Sequence, residues 1–256
     1  MGRVFALANQ KGGVGKTTTA INLGASLAVA ERRTLVVDLD PQANAASGLG
    51  LGSAATEGNI YDVMIGRRSI TEVIRPVNQL EFLDAVPSGR DLSAVDVELV
   101  GVDGRESVLL RALEPIRERY DYILIDCPPS LGLLTINALV AADSVLVPLQ
   151  CEYYALEGLS ALLHTIDSVR AASNEDLSVD GIILTMHDSR NNLSVQVEAE
   201  VRRHFPDLVF STIIPRNVRL SESPSFGKPV VLYDIRSKGC QAYLKLAQEI
   251  LKEASP

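Results

Sequence analysis

The chain has 256 residues, 46% hydrophobic and 22% charged, with a formal net charge of −8. That is enough apolar material for one α/β domain with a sheet covered on both faces. No run of about 18 uncharged apolar residues is present, so no transmembrane helix is expected. The three cysteines, Cys127, Cys151 and Cys240, are few, odd in number and free of any CxxC pair, which fits buried thiols in a cytoplasmic protein rather than a disulfide framework. The N-terminal apolar stretch is broken at Gln10-Lys11, too early for a signal peptide. Charge is uneven: from Arg190 onward 10 Lys/Arg face 7 Asp/Glu, while the rest carries 14 against 25. A mildly basic C-terminal quarter on an acidic chain is compatible with a local anion-binding patch or with an ordinary solvated surface.

In chain order, Val4–Ala8 reads as a first strand, followed by a Gly-rich turn and a helix from Thr17 to Glu31. Thr34–Leu39 is a second strand, stopped by Asp40-Pro41. Leu80–Leu83 is a further, weaker strand. Arg105–Arg119 has a helical pattern and leads to a strand at Tyr122–Ile125, ended by Asp126-Cys127-Pro128-Pro129. Helix Leu133–Ala142, strand Ser144–Leu149, helix Ala155–Ala171, strand Gly181–Thr185, helix Ser194–His204 and strand Val209–Ile214 follow. A last helix covers Gln241 to Ala254. Continuously apolar strands separated by helices predict a mostly parallel central sheet with helices on both faces. Residues 1–256 carry no repeat and no linker, so a single domain is expected. Ligands in such sheets bind beyond the carboxyl ends of the strands, which is where Lys11–Thr18, Asp40, Asp126 and Pro215–Asn217 fall.

The segment Gln10-Lys11-Gly12-Gly13-Val14-Gly15-Lys16-Thr17-Thr18 lies between a strand and a helix, the context of a phosphate-binding loop. Its glycines let successive N–H groups face one anion, and the helix N-terminus adds partial positive charge. Lys16 is placed to reach the β- and γ-phosphates of a nucleotide, and the Thr17 hydroxyl to bind Mg²⁺. The plain GxxxxGK[ST] spacing is not met, because its first glycine would fall at Gln10; a second lysine, Lys11, stands five residues before Lys16. Asp40 and Asp126 each close a strand near this loop. Carboxylates so placed can hold Mg²⁺ or orient an attacking water. Asp38, two residues before Asp40, is either a contact to the metal's water shell or a structural acid.

Lys11–Thr18 resembles the deviant Walker A motif of the ParA/MinD superfamily of P-loop NTPases. The resemblance implies an ATP sandwich dimer in which Lys11 reaches the phosphates bound by the second subunit. It places Asp40 on the switch I aspartate, acting on water and near the metal, and Asp126 on the Walker B aspartate. Leu39–Asn44, Gln150–Gly158 and Ile214–Glu222 resemble the chromosomal ParA/Soj branch, and the likeness runs from Arg3 to about Ala254. By that likeness Pro215 and Asn217 lie against the adenine. The chain begins at the first strand, so no N-terminal DNA-binding extension is expected. Non-specific double-stranded DNA is then expected to meet Arg190 and Arg219, with Lys228, Arg236 and Lys245 as further candidates. A ParB-like partner that stimulates weak ATP hydrolysis, and a cytoplasmic, nucleoid-associated location, follow from the same likeness.

Two rivals remain. A membrane-cycling ATPase resembling MinD needs a basic amphipathic C-terminal helix. The last helix here is mixed in charge, as a helix packed on the body would be, so no stable membrane association is expected. A metabolic enzyme of the same superfamily is the other rival. The nitrogenase iron protein needs paired cluster cysteines, whose contexts are absent, and an amidating ligase is expected to need a further substrate domain.

Overall fold

A computed structural model describes residues 2–52, 57–152 and 155–253. Its strands are β1 (Arg3–Leu7), β2 (Thr34–Asp38), β3 (Arg75–Pro76), β4 (Leu83–Val86), β5 (Tyr122–Asp126), β6 (Ser144–Gln150) and β7 (Ser178–Thr185). They form one seven-stranded sheet in the order β3-β4-β2-β5-β1-β6-β7. All pairings are parallel except β3 with β4. β3 carries Pro76 at the sheet edge, where a missing N–H leaves no ladder bond unmade.

Successive strand residues point to opposite faces, and both faces are covered. Phe5, Leu7, Val36, Leu124 and Leu146 pack against helix Lys16–Val29 and the final helix Lys238–Glu253. Val4, Ala6, Leu35, Val37, Ile123 and Ile125 pack on the other side, which helices Leu133–Ala141 and Ala155–Ala172 cover. Burial on both faces is why these strands read as unbroken apolar runs. All three cysteines lie inside: Cys127 and Cys151 belong to the second of these layers and Cys240 to the first.

The final helix begins at Lys238, three residues before its expected start, and its expected last residue, Ala254, lies outside the described residues. Tyr243, Leu246 and Ile250 are fully buried, and the Tyr243 hydroxyl hydrogen-bonds Thr19 Oγ1 at 3.1 Å. Its apolar face is therefore used by the core. Among the described residues no helix is long and apolar enough to cross a membrane.

Three expected elements differ. Arg105–Arg119 is not one helix: a 3-10 turn at Arg105–Ser107 leads to helix Val108–Leu113 and then a 3-10 turn at Glu114–Arg119. Pro115 supplies no N–H and cannot continue the α-helical ladder. Leu80–Leu83 is displaced, because the strand there is β4, starting at Leu83. Val209–Ile214 is not a strand. A single bridge joins Val209 to Ile182 of β7, and a second joins the following Pro215 to His187, beyond the end of β7, while Ser211 N and Thr212 N donate to the Glu249 carboxylate at 2.6 and 3.0 Å. Donors given to a side chain are lost to a ladder. Within this region the Phe210 ring lies directly over Gly181, in the place a Cβ would need.

Candidate nucleotide-binding site

The register of the sheet assembles the site. Asp126 pairs with Leu7 on one side and with Asp38 on the other, so two carboxylates and the entry to the glycine loop meet at the carboxyl ends of three adjacent strands. After β1 the loop turns through Gly13 (φ +76°) and Gly15 (φ +91°), conformations that favour glycine. Gly15 is the N-cap of helix Lys16–Val29 and offers no side-chain cap, so the first helical N–H groups remain available to an anion. Val14 is buried, and its carbonyl accepts from Thr185 Oγ1 at 2.7 Å. Asn9 braces the other end, donating through Nδ2 to Pro148 O at 2.8 Å and accepting from Lys11 N at 3.0 Å. Gly12 and Gly13 are exposed, and Thr17 and Thr18 half-buried, on the open side of the loop.

Lys16 is buried, and its Nζ folds back over the loop to Asn9 O at 3.1 Å and Lys11 O at 3.4 Å. Burial pulls its ammonium below the ordinary lysine range, against the opposing attraction of Asp126. Lys11 points elsewhere, pairing with Glu152 Oε2 at 2.7 Å. Tyr153 and Tyr154, quoted in the resemblance to the ParA/Soj branch, lie outside the described residues.

Asp126 is completely buried, and neither carboxylate oxygen has a hydrogen-bond partner among the described residues. The Thr17 hydroxyl favours its charged form but closes no hydrogen bond of normal geometry with it. Burial, then the Asp38 charge, push the Asp126 carboxyl well above the usual carboxylate range. Asp38 is also raised, chiefly by burial, although it accepts from Asp40 N at 3.1 Å and Ala46 N at 2.9 Å. Asp40 is 8% exposed and accepts from Gln42 N at 2.9 Å. Orphaned buried carboxylate oxygens beside a hydroxyl are a donor set suited to a hard divalent cation, so the residues present fit Mg²⁺.

Beside the helix start lies a cavity of about 280 Å³ whose lining includes Gly15, Thr18, Met186, Pro215, Asn217 and Tyr243. The structure thus brings Pro215 and Asn217 to the phosphate loop. Asn217 Oδ1 caps the following turn by accepting from Arg219 N at 3.0 Å. Met186, between this cavity and a second of about 620 Å³ bounded by Glu152 and Arg216, holds φ at +50°, a strained value for a side-chain-bearing residue. Asn9, Glu152 and Met186 were not anticipated: the Asn9–Pro148 and Lys11–Glu152 contacts join residues 139 and 141 positions apart, and no local spacing marks any of the three. Asp38 is placed at the heart of the site by register alone.

The candidate DNA contacts are all exposed, but not all are free. Arg190 is bidentate with Asp188 at 2.8 and 2.9 Å. Arg219 pairs with Glu222 at 2.8 Å and Asp234 at 3.3 Å. Lys228, Arg236 and Lys245 have no ion pair among the described residues.

A family profile described as an AAA domain matches residues 2–179. The chromosome partitioning protein ParA of Myxococcus xanthus is 60% identical over 256 residues, covering 100% of this chain and 90% of that protein. The sporulation initiation inhibitor protein Soj of Bacillus subtilis is 54% identical over 250 residues, covering 98% of each. Among solved structures, one described as cobyrinic acid a,c-diamide synthase from Mycobacterium smegmatis with bound ADP and magnesium shares 37% identity. Its TM-score is 0.86, with 99% of this chain and 95% of that chain covered. The cell division ATPase MinD of Pyrococcus furiosus matches with TM-score 0.82 and 27% identity, over 99% and 100% of the chains. Because the structure bearing the ligase description is covered almost completely, the length of the chain does not separate that rival; the higher identity to partitioning proteins does. With identities of 60% and 54% extending over 100% and 98% of its length, the chain belongs to the ParA/Soj family of chromosome partitioning proteins.

Proposed function

We propose that residues 1–256 act as one ATPase domain, an ATP-driven switch that partitions DNA. The observation that carries the nucleotide reading is the buried, unpartnered Asp126 carboxylate beside Lys16 and Thr17, beneath an uncapped helix start. Backbone N–H groups of Gly12, Gly13, Val14, Gly15, Lys16, Thr17 and Thr18 would face the phosphates, with Lys16 supplying charge to the terminal ones. Thr17, Asp126 and Asp40 would hold Mg²⁺, with Asp38 close by. Bound there, the metal supplies positive charge that offsets charge build-up on the phosphates. Asp40, the least buried of the three acids, orients the attacking water. Pro215 and Asn217 line the cavity for the adenine.

Lys11 is the cation for a second subunit's phosphates, so ATP favours a sandwich dimer. That dimer binds double-stranded DNA without sequence preference through Arg190, Arg219, Lys228, Arg236 and Lys245. Hydrolysis, stimulated by a ParB-like partner, returns the chain to a weakly binding monomer. ATP acts by binding one state better than the other. The packed final helix supports a DNA cargo over a membrane one. The test is binding to random-sequence duplex with ATP, ADP or no nucleotide across a salt series. Binding that requires ATP and weakens with salt is expected. An ATP dimer without DNA affinity at low salt would overturn the DNA part and leave the ATPase.

A further inference from the structure

Three large apolar side chains in the 218–235 segment stand in solvent: Val218 at 69%, Phe226 at 62% and Ile235 at 54% exposure. They border one ionic cluster. Phe226 stacks on Tyr233 with ring centroids 5.1 Å apart, and the Tyr233 hydroxyl donates to Glu222 Oε2 at 3.2 Å. Glu222 pairs with Arg219, which also reaches Asp234. Val218 adjoins Arg219 in the chain, and Ile235 adjoins Asp234. Isolated exposed apolar residues are ordinary, whereas a group of them marks a contact surface.

Phe226 is held firmly. It ends the 3-10 turn Ser223–Phe226 and is followed by Gly227 at φ +60°. Gly227 lies against Gly50, itself at φ +77°; a Cβ on either would come within 2.9 Å of the other's backbone. This glycine pair ties the turn to the end of helix Asn44–Gly48, the helix whose Ala46 N donates to Asp38 in the cation site. The tip is therefore mounted on the segment that follows the candidate switch aspartate.

The charge around the tip selects its partner. From Arg216 to Lys238 the sequence has five basic residues against Glu222 and Asp234, on a chain of net charge −8. Apolar side chains among cations suit a polyanion that also offers apolar surface, and the groove of duplex DNA offers sugar and base edges between two lines of phosphate. We infer that Phe226, with Val218 and Ile235, forms an apolar tip that seats in a DNA groove while Arg219, Lys228 and Arg236 hold the flanking phosphates. The inference rests on the DNA-binding reading above and adds to it a contact that salt does not screen.

The experiment is titration of a random-sequence duplex by fluorescence anisotropy, with a non-hydrolysable ATP analogue, over a range of salt. Phe226→Ala is expected to weaken binding about fivefold or more at every salt concentration, leaving the slope of log affinity against log salt unchanged. Ile235→Ala should act in the same direction, and Arg236→Ala should make the slope shallower by about one. Analogue binding by each variant, measured in parallel, separates a lost contact from a lost fold. Wild-type affinity in both apolar variants, with a changed slope in Arg236→Ala, would overturn the tip and leave the DNA reading standing. No duplex binding by the unaltered protein would overturn both. Intact DNA affinity with lost stimulation by a ParB-like protein would assign the face to a protein partner and overturn the inference.

Discussion

At the scale of single residues, the site is governed by charges buried with too few partners. Asp126 has two unsatisfied oxygens, and Asp38 has two backbone donors but sits next to it. Both carboxyls titrate above their ordinary value of 3.8 because burial disfavours the anion. The folded protein therefore keeps protons that the unfolded chain releases, so the stability these groups contribute is complete at low pH and declines as pH rises through their raised pKa values. The nucleotide-free protein is expected to melt at lower temperature as pH rises from about 5 to about 8. Mg²⁺ with nucleotide should flatten that dependence. Asp126→Asn should reduce it, leaving the part that belongs to Asp38, and raise the stability of the free protein by on the order of 1 kcal/mol, while Mg²⁺-dependent nucleotide binding is lost; thermal melts with and without Mg²⁺–nucleotide check both. Lys16→Ala is expected to abolish nucleotide binding in calorimetry, since no other cation reaches over the loop from within it. Asp40→Ala should bind ATP and remain dimeric on DNA; rapid phosphate release by that variant would remove Asp40 from its role with water.

At the scale of elements, local chemistry and two-sided burial show in a sequence, and contacts between remote segments do not. The strands were legible because each is buried on both faces, which forces continuous apolar runs such as Leu35-Val36-Val37. The phosphate loop was legible because its chemistry is local: glycines, lysines and threonine within one turn of backbone. Val209–Ile214 reads as a strand and is not one, for the opposite reason. Its apolar residues look like a strand, yet a carboxylate 38 residues further on, Glu249, takes the backbone donor of Ser211. Likewise the Lys11–Glu152 pair spans 141 residues and leaves no trace in spacing. At this scale Gly181 is a sensitive point, because a methyl there collides with the buried Phe210 ring. Gly181→Ala is expected to lower stability by about 1–3 kcal/mol, read as a fall in denaturant midpoint. Phosphate-loop function should be unaffected at temperatures where the protein is folded.

For the molecule as a whole, the sheet carries the phosphate loop and both strand-end acids at one rim, and the C-terminal segment closes over the cavity beside them. Lys11 is held by Glu152 within the chain, although the proposed dimer needs it elsewhere. Glu152→Gln is expected to weaken this hold and shift ATP-dependent dimerisation to lower protein concentration, measured by analytical ultracentrifugation; the effect should shrink as salt rises. The enclosed cysteines have a practical consequence. Thiol reagents attack the thiolate, and burial both shields these three sulfurs and pushes Cys151 up to about 12 and Cys240 up to about 11, with Cys127 higher still. The native chain is thus a silent background for maleimide chemistry. One cysteine engineered into the exposed surface would accept a single fluorophore, through which dimer assembly and release from DNA can be followed in real time.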